Sequence, residues 1–189
     1  MASKKGLPAL ILVDIQKGFI DEAYWGGKRN NPGAEQNAKL LLDHWRLRGF
    51  PVYHIQHCSS NPDSLLAIGN PGNEIQDIVK PRADEPVITK SVNSAFIGTD
   101  LKDRLDNAGT DTVVIIGLTT DHCVSTTTRM AGNFGYNTYL ATDAVATFPK
   151  KGVNNEIYDA ELMHQTALAS LNEEFATVLN TADIISLFK

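Results

Sequence analysis

The sequence holds only two cysteines, Cys58 and Cys123, in 189 residues. Two thiols cannot build a disulfide scaffold or a four-thiolate zinc ribbon. Long apolar runs are also missing: the stretch from Leu7 to Val13 stops at Asp14, far short of the ~20 residues of a membrane span. Excess positive charge is missing too. Seventeen basic residues face 22 acidic ones, a formal net charge of -5, which argues against nucleic acid or an anionic membrane as a partner. There is no GxGxxG, Walker or EF-hand pattern, so no nucleotide or other cofactor is expected. The start, MASKKG, carries neither a cleavage pattern nor an N-terminal myristoylation glycine, and a cytoplasmic setting with reduced thiols is expected.

What remains is an ordinary globular composition, 42% hydrophobic and 21% charged. Residues 1–189 are expected to form a single domain. Apolar runs recur at regular intervals. Strands are predicted over Ala9–Val13, Pro51–Gln56, Pro86–Thr89, Asp111–Ile116, Asn137–Ala141 and Phe175–Leu179. Helical spacing places helices over Ala34–Arg48, Thr99–Ala108, Asp121–Asn133, Asn155–Leu171 and Thr181–Phe188. Between strands two and three, Pro62–Asp84 is a long Pro-, Gly- and Asn-rich excursion. Alternating β-branched strands and helices predict an α/β fold: a mostly parallel sheet covered on both faces. Ligands of such sheets bind beyond the carboxyl ends of the strands.

Three reactive side chains fall at those ends. Asp14 closes the first strand, Lys90 the third, and Cys123 follows the fourth within GLTTDHCV. Singly, each has an ordinary explanation. An aspartate can stop a strand or cap a helix, a lysine can snorkel, and a cysteine is usually a small buried residue. Together they form a complete set for nucleophilic catalysis: Asp14 as general base and acid, Lys90 and a helix start favouring a Cys123 thiolate, and a thioester as intermediate.

The segments ALILVDIQKGFID, EPVITKSVNSAFIGTDL and VVIIGLTTDHCVSTTTRMAGNFGYNTYLATDAVATF resemble the isochorismatase-like cysteine hydrolases, a group that includes nicotinamidases and N-carbamoylsarcosine amidase. The resemblance runs from about Pro8 to Leu171. It implies a Rossmann-like three-layer αβα sandwich with a six-stranded sheet, and a triad of Asp14, Lys90 and Cys123. It further implies a cis peptide at Leu118–Thr119, with the backbone N–H groups of Thr119 and Cys123 as an oxyanion hole. It implies a homodimer or homotetramer as well. The expected activity is hydrolysis of an amide-type C–N bond in a small molecule, since isochorismatases proper, which cleave a vinyl ether, usually lack the cysteine. An ether hydrolase or a binding module on the same fold is the alternative.

Around the triad, Gln16, Phe19, Trp25, Asn93, Phe96 and His122 are candidate substrate contacts, with Gln16 and Asn93 as polar orienting groups. Arg82 or Arg129 is a candidate carboxylate binder. Nicotinamidases hold a metal through an Asp-x-His element, where this chain has HIQHCSS. His54 and His57 are three apart on a strand and point to opposite faces, a poor chelate, so no metal is expected.

Overall fold

A computed structural model describes residues 6–189. All but the last residue of the MASKKG start lies outside the described residues. In chain order the elements are β1 (Ala9–Val13), α1 (Ala34–Arg48), β2 (Val52–His57), β3 (Val87–Lys90), α2 (Leu101–Asn107), β4 (Thr112–Leu118), a π-helical turn (Thr120–Val124) running into α3 (Ser125–Asn133), β5 (Asn137–Ala146), β6 (Lys150–Lys151), β7 (Ile157–Tyr158), α4 (Ala160–Leu171), β8 (Thr177–Leu179) and α5 (Thr181–Leu187).

Six strands form a sheet in the order β3-β2-β1-β4-β5-β8, and every pairing in it is parallel. Strand β1 is buried on both faces, and its side chains alternate between two cores. Ala9, Ile11 and Val13 join Leu101 and Leu105 of α2, Val124, Ala131 of α3, and Leu168 and Leu171 of α4. Leu10 and Leu12 join Ala38, Leu41, Leu42 and Trp45 of α1, and Ile184 of α5. The result is three layers, as the alternation of apolar strands and amphipathic helices predicts. The chain starts at the centre of the sheet, moves to one edge, then returns to fill the other half. The crevice of such a sheet opens where that reversal occurs, between the carboxyl ends of β1 and β4.

The differences from the sequence reading lie at element ends and in one hairpin that it did not contain. Helix α2 begins after Asp100, because Thr99 turns its hydroxyl back to the Ala95 carbonyl at 2.5 Å. The helix expected from Asn155 starts only at Ala160, where Asp159 accepts from the Leu162 N–H at 2.8 Å. The residues before it form the β6–β7 hairpin, with Asn155 in the left-handed region at φ 70°. The Pro62–Asp84 excursion is tied down by Asn73, whose amide donates to the His57 and Leu66 carbonyls, both at 2.8 Å.

Beside the site, position 117 admits only glycine. At Gly117, φ is 127°, and an added Cβ would stand 1.9 Å from the Val13 carbonyl oxygen. The β1 and β4 backbones close together there, one residue before Asp14.

A partly buried charge cluster braces β2 and the entry to β3 against α1. Arg46 donates to both Glu85 oxygens, each at 2.7 Å, and His54 Nε2 lies 3.0 Å from the same carboxylate. Burial alone would raise the Glu85 carboxyl; hydrogen bonds from Arg46, the Arg82 backbone and His54 outweigh it and hold it at about 2. A depressed carboxyl contributes stability that is present above its ordinary value and lost as pH falls toward the folded one. Glu85→Gln is therefore expected to lower the unfolding free energy at pH 7, with the deficit shrinking between 4.5 and about 2. Urea unfolding across that range reads it, and a deficit independent of pH would contradict it.

Candidate active site

Beyond the carboxyl ends of β1–β4, Lys90 Nζ lies 2.7 Å from Asp14 Oδ2, 3.1 Å from His57 Nδ1, 3.1 Å from the Val92 carbonyl and 3.3 Å from Cys123 Sγ. The Lys90 and Asp14 side chains are 0% and 1% exposed. Asp14 sits at φ 52°, in the left-handed region, which costs a non-glycine residue about 1–2 kcal/mol. Backbone bonds from Asp14 N–H to Ile55 O and from Gln16 N–H to Asp14 O hold it there. The Leu118–Thr119 peptide is cis, at the end of β4 where the resemblance placed it. The chain then enters the π-helical turn that carries Cys123.

Charge and burial oppose one another at each group. Burial pushes the Asp14 carboxyl above its ordinary value, and the Lys90 ammonium only partly offsets it. Among the described residues, Asp14 Oδ1 has no hydrogen-bond partner. Burial, and then the negative charge of Asp14, push the Cys123 thiol up to about 12, against the pull of Lys90. Desolvation beside a carboxylate thus opposes the pull of the helix start and the ammonium toward a thiolate.

Asp14, Cys123 and His57 line a cavity of about 140 Å³ together with Phe19, Trp25, Leu66, Asn93, Thr119, His122 and Lys150. Phe19 and Trp25 stack at 4.7 Å between centroids, and the indole N–H donates to the Gly18 carbonyl at 2.8 Å. Asn93 Oδ1 is 3.8 Å from Cys123 Sγ. Four of the six candidate contacts therefore meet here. The other two stand elsewhere. Phe96 packs into the core against Phe134 and Tyr136, because six residues past Lys90 the chain has already turned toward α2. Gln16 is wholly buried and spends its amide on the His57 backbone and the Asn73 carbonyl. Neither arginine reaches the cavity. Arg129 stacks on Phe175 at 4.7 Å, and Arg82 borders a separate cleft beside Arg46.

Three lining residues were missed. Lys150 and Leu66 arrive on the β6–β7 hairpin and the long excursion, whose paths no periodicity encodes. His57 had a usable signal. It ends β2, which runs between β1 and β3, so it falls between Asp14 and Lys90. His54 and His57 part as their spacing dictates, His54 to Glu85 and His57 to the site.

Asp14, His57 and Cys123 offer an oxygen, a nitrogen and a sulfur within 4.8 Å of one another, the donor types of a metal site. The Lys90 ammonium lies against the same three groups and supplies the positive charge among them.

Comparison with known proteins agrees with this architecture. The family model for the isochorismatase domain matches residues 8–183. The chain belongs to the isochorismatase family of hydrolases. An uncharacterized family member of Bacillus subtilis, YrdC, is 51% identical over 180 residues, covering 95% of both chains. The crystal structure of a family member from Chromobacterium violaceum superposes on this hydrolase with a TM-score of 0.92 at 40% identity, over 100% of this chain and 95% of the other. N-carbamoylsarcosine amidase from Thermoplasma acidophilum matches at 27% identity and a TM-score of 0.71, over 93% and 96% of the two chains. Among the described residues, no helix is long and apolar enough to cross a membrane.

Proposed function

We propose that this hydrolase cleaves an amide-type C–N bond of a small molecule through a thioester on Cys123. One observation carries the reading. A single buried ammonium, Lys90 Nζ, reaches both Asp14 Oδ2 at 2.7 Å and Cys123 Sγ at 3.3 Å, and those two partners line a cavity. The likeness to an amidase of the same fold supports the C–N bond.

The steps follow from the charges. Asp14, its basicity raised by burial and with Oδ1 unpartnered, takes the Cys123 proton. The thiolate attacks the carbonyl carbon, paired meanwhile with Lys90. Backbone N–H groups of Thr119 and Cys123 hold the oxyanion. The C–N bond breaks, and the leaving amine takes the proton back from Asp14. Water then attacks the thioester and gives a proton to Asp14; carboxylic acid leaves, and that proton returns to sulfur. A cavity of about 140 Å³ with an aromatic wall suits a small acyl group.

Acid quenching during turnover of activated small amides, such as anilides, tests the thioester. Mass spectrometry is expected to find the acyl group on the peptide that carries Cys123, removable by hydroxylamine. Turnover with Cys123 unmodified at every quench time would sink the reading.

A further inference from the structure

A protonated lysine has three N–H donors and no acceptor. Lys90 Nζ has four neighbours within reach: Asp14 Oδ2, His57 Nδ1, the Val92 carbonyl and Cys123 Sγ. Four acceptors compete for three protons, and sulfur is the farthest at 3.3 Å. An ammonium can only donate, so the His57 nitrogen facing it accepts, and the ring proton sits on Nε2. Burial and the neighbouring ammonium keep the His57 ring below its ordinary pKa, which preserves that lone pair. Asp14 and Cys123 are the other ionisable groups around it.

The position of His57 is over-determined. Its N–H donates to Gln16 Oε1 at 2.8 Å; its carbonyl accepts from Gln16 Nε2 at 2.9 Å and from Asn73 Nδ2 at 2.8 Å. Two side-chain amides thus bind the backbone of one residue, one of them wholly buried. Sheet pairing with Lys90 adds to this. Such a clamp fixes where the imidazole meets the ammonium.

We infer that His57 is a positioning residue for the triad: its Nδ1 takes one Lys90 proton, and so limits how much of the ammonium is left for Cys123. The inference rests on the reading of Lys90 and Cys123 given above. With His57 in place, sulfur competes for its share of the ammonium and stays protonated until substrate enters. Without that acceptor, three protons serve Asp14, Val92 and Cys123, and the thiolate gains a full partner.

The test uses a pair of substitutions of similar size. His57→Asn keeps an acceptor near the Nδ1 position, and His57→Leu removes it. The readout is alkylation of Cys123 by iodoacetamide at about pH 8, followed peptide by peptide so that Cys58 is counted separately, since alkylation follows the thiolate. Losing one competing charge-assisted hydrogen bond is expected to speed it about tenfold in His57→Leu, with His57→Asn within about twofold of the parent. Equal rates in the two variants, whether raised or unchanged, would overturn the inference, because access alone would then explain them. Nitrogen NMR of the parent protein gives a second measurement that needs no variant. It is expected to show the Nε2–H tautomer of His57, and the Nδ1–H tautomer would overturn the inference. Neither readout requires turnover, so an inactive amide panel counts against the proposed reaction and not against His57.

Discussion

Cys123→Ala is expected to reduce amide hydrolysis by about 10⁴- to 10⁶-fold, the usual cost of deleting the nucleophile from a unit that acts together. Binding and oxyanion stabilisation by backbone N–H groups would account for the residue of activity. The fold should barely notice. The substitution removes one sulfur from a side chain that borders the cavity, and the Lys90–Asp14 pair at 2.7 Å does not depend on it. The negative charge of Asp14 and the positive charge of Lys90 still compensate. Thermal unfolding is therefore expected to shift by only a few °C, about the effect of 1 kcal/mol in a domain of this size. Ammonia or amine release over a panel of small amides and ureas measures the first quantity, and calorimetry the second. Unchanged turnover in the variant would remove Cys123 from the mechanism. Turnover lost along with the fold would remove the discrimination, and Cys123→Ser then serves as the closer isostere, retaining volume and a donor.

Lys90→Met attacks both stability and chemistry. It leaves Asp14 buried with Oδ1 already unpartnered and Oδ2 stripped of its 2.7 Å partner. Breaking a buried pair from one side costs about 3–5 kcal/mol. The direction of its pH dependence follows from Asp14. Burial already raises that carboxyl, and Lys90 is what lowers it; without Lys90 it rises further. A carboxyl raised in the folded state is bound to its proton more tightly there than in the unfolded chain. Its stability contribution is full below the ordinary value of 3.8 and is lost as pH rises through the folded value. Lys90→Met should therefore be closest to the parent in acid and fall behind as pH rises. Replacing both partners, as Lys90→Met with Asp14→Asn, should recover much of the loss, because no buried charge is left alone. Urea unfolding against pH for the two variants decides it. A double variant no more stable than the single at pH 7 would show that packing, not charge, sets the cost. Both variants are expected to be inactive.

Much of this was legible beforehand because the two periodicities that encode it are local. Ala34–Arg48 carries apolar residues at helical spacing and ends at Gly49, which is left-handed at φ 65°. Ala9–Val13 is a continuous apolar run because both of its faces are covered. Asp14 and Lys90 were found because they sit where such runs stop. Phe96 was misplaced by the same logic: distance along the chain from Lys90 does not say which way the backbone turns next. Gln16, read as a polar orienting group for a substrate, is buried and binds the His57 backbone instead.

Local pattern alone determined the six strands of the main sheet, most helices, and the three residue types at the strand ends. The order β3-β2-β1-β4-β5-β8 came only with the tertiary structure, since parallel neighbours are brought together by crossovers of many residues. That order puts His57 between Asp14 and Lys90, and it carries Lys150 and Leu66 to the cavity from distant loops. The protonation of the scarce thiol was likewise out of reach of any motif. A helix start and a lysine read from the chain favour a thiolate; burial beside Asp14 pushes Cys123 to about 12. Desolvation depends on everything packed around a group, and that is a property of the folded molecule.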